Sequence, residues 1–152
     1  MYDINVLKTV EQCRIVMERA KKLGDDDLYR KVFIRSCEIS GNTIDDPSDP
    51  VVVAFYETLA AYEQLLSEKN GRNQQAGRTR QKVSRKGVRQ TLIDWTMQDG
   101  RTAGFEALVD KGLYQYTGEF IVARFAREFP ADAVERAKQV LIKHNIPIPD
   151  PE

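Results

Sequence analysis

Residues 71–90 read GRNQQAGRTRQKVSRKGVRQ and hold seven Arg or Lys side chains with no Asp or Glu. Cations at that density suit the neutralisation of closely spaced anions. Each phosphate paired with a cation releases condensed counterions, so such a run binds a nucleic-acid backbone, DNA or RNA, by charge rather than by sequence. The candidate contacts are Arg72, Arg78, Arg80, Lys82, Arg85, Lys86 and Arg89, which would supply affinity. Gln90 and Thr91 would supply any base preference. The rest of the chain is acidic: residues 1–70 carry nine basic and thirteen acidic side chains, residues 91–152 seven and ten. A formal charge of zero thus hides a belt of +7 between regions of −4 and −3. A local positive field attracts polyanions whatever the total.

Most enzyme chemistry lacks its residues. His144 is the only histidine, beside Lys143 near the C-terminal end, so zinc sites built on histidine pairs fall short of ligands and a Ser-His-Asp triad has one poor candidate for its base. No GxxxxGK[ST] or GxGxxG phosphate cradle is present. Asp45, Asp46 and Asp49 could ligate a hard cation, which beside the belt gives a metal-dependent nuclease as a third reading. Acidic residues next to prolines are also ordinary loop and cap material, and no metal site or cofactor is assigned. Glu57, Glu63 and Glu68 read as a solvated helix face.

The elements that must position the belt are helical. Val6, Val10, Cys13, Met17 and Ala20 recur at spacings of four and three, a helix stripe closed by Gly24. Asp25 can cap a second helix through Tyr29, Val32, Phe33 and Ile39, ended by Gly41. Pro50 opens a third, whose stripe of Val52, Phe55, Leu59, Tyr62 and Leu66 has the spacing of two packed helices and is a candidate homodimer seam. After the belt, Val88, Leu92 and Trp95 mark another helix, Thr102 and Thr117 cap short ones, and Val134, Ala137 and Leu141 stripe the last. The tail IPIPDPE, with three prolines, is expected to trail into solvent.

The pattern predicts a single all-α domain over 1–152 with six or seven helices in a compact bundle. Possible lobes are 1–70, 71–99 and 100–147, with a tail at 148–152. No apolar run approaches the roughly 18 residues of a membrane span. The N-terminus lacks a signal-peptide plan, and Cys13 and Cys37 have no CxxC spacing, so a cytoplasmic protein with two core cysteines is expected.

Two arrangements of the belt fit the residues. In one helix over 77–98, Arg78, Lys82, Arg85 and Arg89 would fall within about 60° of one another. With Gly87 as a turn, residues 79–96 resemble a helix-turn-helix in which Arg89, Gln90 and Thr91 stand at the start of the recognition helix. Lys82 departs from that pattern, since an apolar residue normally packs there.

A further resemblance runs through AAYEQLLSEKNGRNQQAGRTRQKVSRKG. Glu68, Lys69, Asn70, Gly71 and Arg72, followed by Arg78, Thr79, Arg80 and Gln81, resemble a segment of small bacterial proteins of unassigned function. The similarity continues through GFEALVDKGL and TGEFIVARF; it implies a bacterial origin and supplies no catalytic residue. The reading is a non-enzymatic nucleic-acid-binding protein. Its alternative is a protein-interaction or assembly module whose basic segment is merely solvated.

Overall fold

The computed structural model describes residues 3–42 and 48–152. Asp45 and Asp46 lie outside them. The described residues form eight α-helices and three 3-10 turns, with no strand. The expected class holds, with one or two helices more than the pattern predicts. The additional helix is the basic segment, which closes its own backbone hydrogen bonds between two glycines.

Helix α1 spans Val10–Leu23, shorter at its start than the apolar stripe suggests. Thr9 and Gln12 form a capping box that fixes the first turn, and Val6 is left exposed on the preceding 3-10 turn. Helix α2 spans Asp26–Asn42, with the Asp25 carboxylate accepting from Leu28 N–H at 3.0 Å, and it continues through Gly41 rather than ending there. Cys13, Met17 and Ala20 of α1 meet Val32, Phe33 and Cys37 of α2 in one apolar cluster. Both cysteines are buried and unbridged.

Helix α3, Pro50–Asn70, starts with Asp49 as cap and Pro50 in the first turn. Its stripe is internal: Phe55 and Leu59 are fully buried, and Phe55 stacks on Trp95 with ring centroids 5.5 Å apart. The chain's own helices cover the central residues of the Val52 to Leu66 stripe, while Val52, Tyr62 and Leu66 are half-buried. Full burial of side chains this size contributes about 2 kcal/mol each. Glu63 and Glu68 are likewise not a solvated face, with side chains only 15% and 17% exposed and partners on other helices.

Helix α4 spans Gly77–Lys86 and α5 spans Val88–Met97. They are followed by α6, Ala103–Asp110, α7, Gly118–Arg124, and α8, Ala131–Lys143. Helix α5 packs against α3, α7 and α8, and its Leu92 joins a second cluster with Phe55, Ile121, Val122 and Phe125. The third cluster anchors the start of the tail, most of which is non-helical and exposed. Ile146 is buried against Phe105 and Leu141, and Glu152 returns to Arg124 by an ion pair and a backbone bond of 2.8 Å. No helix among the described residues is long and apolar enough to cross a membrane.

Candidate nucleic-acid interface

Helix α4 has no capping side chain of its own. Glu63 of α3 supplies one from outside: its carboxylate accepts from Ala76 N–H at 2.7 Å and takes the Arg80 guanidinium through Nε and Nη2, both at 2.7 Å. This paired-fork geometry is the strong form of an Arg–carboxylate contact, and the negative charge also offsets the helix dipole. It holds the Arg80 guanidinium above its ordinary pKa. On the inner side, Val83 and Ala76 pack on the second apolar cluster.

At its other end, α4 meets α5 at one residue. Gly87 has φ +87° and ψ 168°, a conformation in which its N–H reaches Val83 O while its carbonyl accepts from Thr91 N–H, so one residue closes one helix and opens the next. DNA-reading helix-turn-helix motifs use a turn of about three or four residues. Asp94 of α5 then gathers three donors from the corner: Lys82 at 2.9 Å, Lys86 at 3.4 Å and Gln90 at 2.9 Å. The Lys82 bond, followed by that of Gln90, holds the Asp94 carboxyl down at about 2.

Arg89 is the third fastener. It binds Asp49 through two bonds of 2.9 and 3.1 Å and also pairs with Glu128. Asp49 meanwhile caps α3, accepting from Val51 N–H at 3.1 Å, so one carboxylate ties the start of α3 to α5. The Arg89 bond, against a smaller opposing effect of burial, holds the Asp49 carboxyl below its ordinary range. That placement gives Asp49 a structural part as helix cap and Arg89 partner, while Asp45 and Asp46, grouped with it from sequence, lie outside the described residues.

The seven cations thus divide. Arg80, Lys82, Lys86 and Arg89 turn toward carboxylates of the body. Arg72, Arg78 and Arg85 are exposed and have no carboxylate partner among the described residues. Arg78 and Arg85, seven residues apart, stand within about 20° on the helix and about 10.5 Å apart along it. Exposed Gln81 lies between them on the chain. Thr91 must be removed from the candidate contacts. It is fully buried, with its hydroxyl donating to Gly87 O at 2.8 Å. Gln90 is exposed, but its amide is committed to Asp94.

The residues missed from sequence are the answering carboxylates Glu63, Asp94, Asp49 and Glu128. Only Asp94 had a local signal, being four residues from Gln90 in helical spacing. Comparison with protein-family models, curated proteins and solved structures finds no match to this chain.

Proposed function

We propose that the chain is a non-enzymatic nucleic-acid-binding protein that meets the phosphate backbone with the outward side of α4. Arg78 and Arg85 are the principal contacts, and Arg72 extends the row at the α3–α4 connection. The observation that carries this reading is that these three guanidiniums are exposed and unanswered by carboxylates among the described residues, while Arg80, Lys82 and Lys86 tie α4 to α3 and α5 and Arg89 ties α5 to Asp49. A fixed helix loses little conformational freedom when it docks. The pairing also reduces the field, so binding is modest and follows charge rather than base sequence. A reducing compartment such as the cytoplasm accords with two buried, unbridged cysteines.

The test is fluorescence-anisotropy titration against labelled duplex and single-stranded DNA and RNA. For duplex DNA, three phosphate contacts imply a log–log salt slope of about −2.7, so affinity falls about 40-fold between roughly 50 and 200 mM salt. A second reading treats the block as a fastener in a protein-interaction module, and the engagement of four of the seven cations by the chain's own carboxylates favours it. Absence of binding even at the lower salt would select that second reading.

A further inference from the structure

Below α4, between α3, α5 and α6, lies a cavity of about 710 Å³. That volume is within the range of small-molecule sites. Its inner end is built from the ring of Tyr62, the indole of Trp95 and a buried pair, Arg101 and Glu119, whose side chains are 8% and 5% exposed. Leu65 and Leu66 line the middle. The cavity's shape depends on α6 lying against Tyr62: a Cβ on Gly104 would come within 2.7 Å of that ring.

Three features set this cavity apart from ordinary packing. Burying an ion pair costs desolvation that packed apolar side chains would avoid, so an Arg–Glu pair in an aromatic cavity is not what stability alone selects. The pair is also incompletely used. Arg101 donates to Glu119 and to Gln98 O, which leaves three of its five N–H groups without a bond to a described residue. The Tyr62 hydroxyl likewise bonds to no described residue, although its ring is held edge-on by Trp95 at 5.6 Å. Finally, the outer end is cationic. Lys21, Lys69 and Lys111 line it with Glu68; Lys21 is paired with Glu68, whereas Lys69 and Lys111, the latter with its ammonium 5.0 Å from the Tyr29 ring centroid, have no carboxylate partner among the described residues. Lys69 is seven residues beyond Tyr62 on α3, which sets the two ends about 10.5 Å apart.

We infer that the cavity binds an elongated amphipathic acid, its carboxylate or phosphate head at Lys69 and Lys111 and its apolar body along Leu65, Leu66 and Trp95. The inner donors, Arg101 and Tyr62, meet a polar group where the ligand has one. This site is distinct from the outward side of α4 and does not rest on nucleic-acid binding.

Trp95 is the only tryptophan and lies in the cavity wall, so its emission reports occupancy directly. The experiment titrates the protein with dodecanoate, dodecyl phosphate and dodecanol. Saturable changes with at least one of the two acids are expected, at a Kd about tenfold or more below that for dodecanol; the tighter acid identifies the head group. Lys69→Gln with Lys111→Gln removes that advantage, and Ala103→Phe, which places a ring at an exposed lining position of α6, abolishes saturation while helical circular dichroism is retained. No saturable change with either acid, equal affinity for dodecanol, or undiminished binding in A103F overturns the inference.

Discussion

Arg78 and Arg80 stand two residues apart on one helix and do opposite things. Both are exposed, but Arg80 is paired with Glu63 whereas Arg78 has no carboxylate partner among the described residues. The distinction rests on carboxylates far away in sequence, so counting charge in the block overstates the number of cations free for a ligand. Asp94 gives the clearest test of the inward set. Its folded pKa is depressed to about 2, against about 3.9 for an ordinary aspartate, so its contribution is present above about pH 4 and is lost as pH falls through about 2. Asp94→Asn is expected to cost about 1 kcal/mol in urea denaturation at pH 7, as befits a mostly surface pair with several partners. The gap from the parent should close as both proteins are taken down to about pH 2. A constant gap across that range would mean that Asp94 acts through packing and not through charge.

At the scale of elements, the corner at Gly87 decides how α4 is presented. Nothing lies within 4 Å of a Cβ built there, so the cost of a side chain is purely conformational. Gly87→Ala is expected to destabilise by about 1–3 kcal/mol, the range for a residue held where only glycine is at ease. Gly77→Ala, whose site is equally open but carries no positive φ, should be neutral or slightly stabilising; denaturant midpoints separate the two. The helices themselves were largely legible. Cys13, Met17 and Ala20, or Phe55 and Leu59, recur at helical spacing because each faces one apolar neighbour, and that regularity survives in the sequence. Boundaries set by polar side chains were less so: the Thr9–Gln12 box, not the apolar stripe, starts α1. Composition marks the proline-rich tail as non-helical and exposed, which it mostly is, but carries no sign that Ile146 packs against Phe105 and Leu141.

Across the whole molecule, the acidic body and basic belt fit together as a partly self-answered pair. Arg80 is 17 residues from Glu63, and Arg89 is 40 from Asp49 and 39 from Glu128. Such partners become neighbours only through the packing of α3, α5 and the segment before α8. For the same reason the cavity between α3, α5 and α6 left no local mark: Tyr62, Trp95, Arg101 and Glu119 share no spacing rule. Of the seven cations in the belt, three guanidiniums are exposed without a carboxylate partner among the described residues. The most direct measurement of that claim is the duplex-DNA salt slope of the parent beside Arg78→Gln/Arg85→Gln and beside Arg80→Gln. The Arg78/Arg85 double variant is expected to drop the slope from about −2.7 to about −0.9, while the Arg80 variant keeps the parental slope. A double variant that retained the parental slope would contradict that claim.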